Sequence, residues 1–176
     1  MAQNLPEPWL RGPIEGVHPL VVPVFFTFDQ VREELAKHTT GLTQEQVWRK
    51  PVNDAAPLGF HLKHIAGSVD RLTTYLLGTQ LSTAQLEALR HEPEPGSTLE
   101  ELLVAIDDSL AASQERLRQI DPDSLYEHRF VGRRELPTTV IGLLVHLSEH
   151  TQRHLGQAIT TIKTIRHSPP IAGANG

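Results

Sequence analysis

Apolar residues recur at intervals of three and four in four long stretches of this 176-residue chain, and proline or glycine separates each stretch from the next. That interval is the mark of a helix with one buried face. The first run, from about Pro19, carries Val21, Val24, Phe28, Val31 and Leu35, with Pro23 in its first turn and Gly41 just past its end. The second, from Pro57 to Leu77, carries Leu58, Leu62, Ile65, Val69, Leu72 and Leu76, and Gly78 suits its stop. The third opens at Ser97 with Glu100, a capping-box spacing, runs through Leu99, Leu102, Ile106, Leu110 and Leu117, and ends before Asp121-Pro122. The fourth reads from Pro137, a suitable first helical residue, to about Arg166, with Val140, Leu144, Leu147, Leu155, Ala158, Ile162 and Ile165 on one stripe. Thr43 with Gln46 and Ser82 with Gln85 mark two shorter helices. His91 to Gly96 reads as a turn-rich linker, residues 121–136 read as a long connection, and no strand-like alternation stands out.

Four amphipathic helices bury their stripes most simply against one another. The expected fold is therefore all-α, a four-helix bundle. The bundle is expected over 19–166, after an irregular Pro- and Gly-rich lead-in at 1–18 and before a disordered tail at 167–176. Sixteen basic against 21 acidic residues leave a net charge of −5, a poor match for a phosphate backbone, so no nucleic-acid partner is expected. With no cysteine, the chain has no disulfide, thiolate ligand or cysteine nucleophile of its own. No segment approaches the roughly 18 apolar residues of a membrane span, and the N-terminus lacks a secretory pattern. The expected location is cytoplasmic, with no membrane partner.

Ten histidines are the outlying feature of the composition. Three of them, His146, His150 and His154, recur every four residues on the fourth helix. Each step of four turns roughly 40° and climbs about 6 Å, so the rings stack along one face. Two imidazoles so spaced can reach one zinc, nickel, copper or iron ion. They border the apolar stripe, where three unpaired charges would be costly. The second helix offers His61 and His64. Spacing alone leaves open which of these joins the ladder, and whether His146/His150 or His150/His154 forms the pair. His18, His38, His91, His128 and His167 belong to no such pattern. A di-iron bundle wants two Glu-x-x-His motifs, and only Glu15/His18 fits, in a Gly/Pro-rich stretch. The His-Glu-x-x-His of a zinc protease is absent, since prolines follow His91-Glu92.

Two segments carry a family resemblance: Phe60-His-Leu-Lys-His64-Ile-Ala-Gly-Ser-Val-Asp70-Arg71, and His146-Leu-Ser-Glu-His150-Thr-Gln-Arg-His154-Leu-Gly156-Gln157. With the order of the helices, they resemble the DinB/YfiT-like superfamily of metal-dependent four-helix proteins, which shares a name with a DNA polymerase but is unrelated to it. The resemblance implies His64, His150 and His154 as a three-histidine site for a divalent metal ion, zinc first and nickel second. It implies His61 and His146 as neighbours lining that site. Leu155 and Arg153 depart from the family pattern, in which arginine and a further histidine are frequent. Some members are thiol-dependent S-transferases or isomerases, so the implied activity is a metal-dependent S-transferase using a low-molecular-weight thiol, or a hydrolase. The alternative is a non-catalytic, stress-related bundle with a structural ion. A small-molecule substrate and a homodimer are expected. Arg129, Arg133 and Arg134 are candidates to anchor an anionic substrate. Asp70 with Arg71 reads as a surface ion pair, Glu149 as a weak candidate base, and Gln157 as a residue orienting a neighbouring group.

Overall fold

In the computed structural model, residues 5–52 and 54–167 are described. Six α-helices run as α1 (Val22–Thr39), α2 (Gln44–Trp48), α3 (Leu58–Leu76), α4 (Thr83–His91), α5 (Leu99–Arg118) and α6 (Val140–His167). Between α5 and α6 lies a hairpin of β1 (His128–Val131) and β2 (Leu136–Thr139). The four long helices α1, α3, α5 and α6 form the bundle. α3 is central, packing against α5 and α6, while α1 lies on α6. The apolar stripes are the core: Phe28, Val31, Leu58, Leu62, Ile65, Leu110, Leu147 and Ile162 are fully buried. Among the described residues of the expected lead-in there is one 3-10 turn, Pro8–Leu10, and Arg11 ties it to Glu33 of α1 at 2.6 Å. The expected tail lies, His167 apart, outside the described residues.

Local signals set the helix ends. Thr43 and Ser82 make reciprocal capping boxes with Gln46 and Gln85. On α5 the box is one residue later than the sequence suggests, Thr98 with Glu101 rather than Ser97 with Glu100. Both pairs have the required spacing. The Ser97 carbonyl is held elsewhere, accepting from Trp48 Nε1 at 2.8 Å and Gln44 Nε2 at 2.9 Å. Trp48 itself packs on Gly59, where an added Cβ would meet its ring at 2.7 Å. Gly78 stops α3 in the left-handed conformation that glycine tolerates, φ 79°.

The hairpin corrects two expectations, the absence of any strand around the long connection at 121–136 and the start of the last helix at Pro137. β1 and β2 pair antiparallel, with Phe130 opposite Pro137. Four-residue strands are too short to establish a period, and proline serves at a sheet edge as well as at a helix start. In a two-stranded ribbon each strand is an edge, so its missing N–H is tolerated there. The helix starts three residues later, where Thr139 Oγ1 accepts from the Gly142 N–H at 3.1 Å.

Candidate metal centre

Histidines of α3 and α6 meet in the seam between these helices. His64 Nε2 lies 2.9 Å from His150 Nε2. The His154 ring centroid is 4.2 Å from that of His64 and 4.7 Å from that of His150. One nitrogen from each of the three falls within 4.8 Å of the other two. Nitrogens at zinc distance on a tetrahedral ion stand roughly 3.3 Å apart, so the trio is within reach of a single divalent cation. Helix rotation sets this arrangement. Buried Leu147, Thr151 and Leu155 lock one side of α6 into the core, and the ring stack turns towards α3, itself fixed by Leu62 and Ile65.

Burial favours the neutral form of two of these imidazoles. His150 and His154 are both pushed down to about 4, first by loss of water and then by electrostatic repulsion between their protonated forms and that of the neighbouring His64. His61 is lowered by the same two causes. A neutral ring is the form that donates a lone pair to a metal. His150 Nδ1 and Thr151 Oγ1 are buried without a hydrogen-bond partner among the described residues. Such orphaned groups cost stability, which marks a position held for something other than packing.

Glu92 lies beneath His64. Its carboxylate, 4% exposed, accepts from His64 Nδ1 at 2.7 Å with one oxygen and from Arg71 Nη1 at 2.7 Å with the other. Burial opposes its ionisation, but hydrogen bonds from His64 and Arg71 outweigh that and hold its pKa below the usual value. Gly67 leaves room for the pair: an added Cβ would stand 2.5 Å from Glu92 Oε1 and 2.6 Å from Arg71 Nη1. A glycine inside a helix costs about 1 kcal/mol relative to alanine, and here the space it leaves is filled.

On the other side of the rings a cavity of about 740 Å³ opens beside His61 and His154. Phe60 and Ala56 line one wall, and Arg153, Gly156, Gln157 and Thr160 the other. Gly156 is also inside a helix, yet a Cβ there would meet nothing within 4 Å. No protein atom needs its absence.

A family model for the DinB superfamily matches residues 27–158, well over half of the chain. The chain belongs to the DinB superfamily. The solved structure of a conserved protein from Enterococcus faecalis has a similar fold, with a TM-score of 0.69 at 16% identity, over 86% of this chain and 99% of that one. Among curated proteins, none matches in sequence.

In this DinB-superfamily chain the structure separates alternatives that helical spacing leaves open. His64, not His61, joins the cluster. His61 is buried behind it, with Nδ1 3.4 Å from His154 Nδ1. His146 is exposed and turns to Glu149 Oε1 at 2.6 Å. Glu149 also pairs with Arg153. The expected Asp70–Arg71 surface pair does not exist. Adjacent residues on a helix point about 100° apart, so Arg71 turns inward to Glu92 while Asp70 accepts from Gln85 Nε2 at 2.7 Å. Arg129 is structural: its Nε donates to the Leu76 carbonyl at 2.7 Å, pinning the hairpin to the end of α3. Arg133 and Arg134 are exposed at the hairpin turn, and roughly 15 Å of α6 separates the hairpin from His150. Glu92 was not legible as a site residue, because it comes from the linker, 28 positions from its partner, and no periodicity relates the two.

The lowered histidines give the metal-free protein an acid-sensitive window. A group with a folded pKa of about 4 and an ordinary value of 6.5 binds more protons unfolded than folded between those limits. The contribution is complete above pH 6.5 and is lost as pH falls towards 4. Thermal melts of metal-free protein are therefore expected to shift downward across that window, and less so in the His150→Gln, His154→Gln double variant. Equal slopes in the two proteins would contradict the assignment.

Proposed function

We propose that this protein is a metal-dependent enzyme that binds a divalent ion, zinc before nickel, through His64, His150 and His154. We propose that it acts on a small molecule in the adjoining cavity, by thiol-dependent S-transfer or by hydrolysis. The observation that carries this reading is a three-imidazole donor set beside an open cavity. The donor group contains three residues, whereas a purely structural zinc site is closed by four protein ligands. Glu92, the nearest carboxylate on His64, is already engaged by His64 and Arg71. The residues present fit the ion: burial favours the neutral form of His150 and His154, the nitrogens of all three rings converge, and the His64 ring is backed by a carboxylate, as metal-binding histidines commonly are.

The chain's own groups divide the remaining work. Phe60 and Ala56 exclude water from one wall of the cavity. Arg153, Gln157 and Thr160 present polar groups along the other, one helical turn apart. His61, neutral by burial, can accept a proton from a bound substrate. Three neutral ligands leave the full charge of a bound ion available for Lewis-acid chemistry.

Two measurements test this. Elemental analysis of protein purified without added metal or tag is expected to find one divalent ion per chain. An assay with several low-molecular-weight thiols and electrophilic acceptors is expected to show turnover that chelation abolishes. A bound ion with no turnover on any thiol or hydrolysable substrate would favour the structural alternative.

Gly156 offers a sharper probe of the cavity. Gly156→Leu adds a side chain that meets no protein atom at its root and projects into the cavity. The variant is expected to keep its metal and its melting temperature, or gain slightly in the latter, while turnover falls at least tenfold. Unchanged turnover would remove this cavity from the reaction.

A further inference from the structure

The linker between α4 and α5 contains no donor of the histidine cluster, yet it sends a buried carboxylate to it. We propose that Glu92 is a positioning residue for the metal centre: it fixes the proton of His64 on Nδ1 and so keeps the Nε2 lone pair aimed at the cluster. This inference rests on the proposed metal reading for its effect on affinity, but not for its effect on the ring.

Three observations support it. Glu92 uses both oxygens, one on Arg71 and one on His64, each at 2.7 Å. A staple that merely held the linker to α3 would need only the Arg71 contact. The second contact dictates chemistry: an ionised carboxylate can only accept, so His64 Nδ1 must donate. Neutral imidazole carries one N–H, so Nε2 is left with its lone pair, and Nε2 is the atom 2.9 Å from His150 Nε2. The arrangement is also fitted to a particular shape. Gly67 lies one turn beyond the His64 position and one before Arg71, and an added Cβ there would overlap both partners of the ion pair. Arg71 is itself buried, 8% exposed, and its guanidinium stands against the other carboxylate oxygen at 2.7 Å, so the two form a buried ion pair. Arg71, Gly67 and Glu92 thus act as one device, and His64 is where it acts.

The device predicts a loss of metal affinity from two unrelated substitutions and none from a control. Glu92→Gln keeps size and shape but has one oxygen to share. Facing a guanidinium, that oxygen goes to Arg71, and the amide N–H₂ turns to His64 Nδ1. The ring proton must then move to Nε2, which takes the lone pair from the cluster. Gly67→Ala removes no polar group but its Cβ forces the Glu92–Arg71 pair to shift. Glu100→Gln, on an exposed turn of α5, is the control.

The test uses the full chain. Nitrogen-15 NMR of the histidine rings in metal-free protein is expected to show His64 as the Nδ1–H tautomer in wild type and in Glu100→Gln. A shift towards Nε2–H is expected in Glu92→Gln. Competition titrations with zinc and a chromophoric chelator are expected to show 10- to 100-fold weaker binding in Glu92→Gln and in Gly67→Ala, the range seen when the partner of a ligating histidine is lost. An unchanged tautomer in Glu92→Gln, or wild-type zinc affinity in either variant, would overturn the proposal. If wild type itself bound no zinc, the metal reading would fail, and the tautomer comparison would still decide whether Glu92 sets the ring. Should Glu92→Gln not fold, Gly67→Ala carries the affinity measurement.

Discussion

Purified without added metal, His150→Ala and His154→Ala are expected to emerge with little or no bound ion, while His146→Ala keeps it. The first two remove one of three converging nitrogens. The loss should exceed the roughly 10–100-fold that follows from losing a supporting partner, because a donor itself is gone. His146 sits at the same four-residue spacing but is exposed and bonded to Glu149 at 2.6 Å. Elemental analysis of the three variants side by side reads this directly. Equal loss in all three would mean that the whole ladder holds the ion, and equal retention would mean that the cluster does not. A further consequence concerns stability. His150 places an unpartnered nitrogen in the interior, so His150→Leu is expected to melt no lower than metal-free wild type while binding no metal.

The largest effect on folding is expected from Leu147→Ala. Leu147 is fully buried on the face of α6 that packs into the core, one residue after His146 and three before His150. Truncating such a residue typically costs about 2–5 kcal/mol, part transfer energy and part cavity. For a domain of this size that corresponds to a melting temperature lower by roughly 5–20 °C. Chemical denaturation should show the same loss with an unchanged m-value. A change below about 1 kcal/mol would mean that α6 packs elsewhere, and the rotation that turns His150 and His154 towards α3 would lose its physical basis.

These two expectations show what the sequence could convey. Period carried the helices: Leu58, Leu62, Ile65 and Val69 are a three-four stripe on paper and a buried face in the structure. Period also drew the ladder on α6, because i and i+4 are neighbours whatever the rest of the chain does. It could not choose between His61 and His64, since that depends on how α3 is rotated against α6. The resemblance to the DinB superfamily implied the trio that the structure brings together. The misread features are those with no period. The hairpin strands are four residues each, and Pro137 suits a helix start as well as a sheet edge. Ser97/Glu100 and Thr98/Glu101 have the same spacing, and a carbonyl bond from distant Trp48 separates them. Glu92 sits among prolines in a stretch that reads as turn, and only tertiary folding brings it to His64.

Trp48 gives that tertiary link a visible signal. Its indole holds the Ser97 carbonyl five residues after Glu92, and its ring lies 5.2 Å beneath the Lys63 ammonium, next in sequence to His64. The chain has only one other tryptophan, Trp9, which is exposed. Intrinsic fluorescence therefore watches the loop that braces the rings, and loading or stripping the ion should be readable in emission without a label.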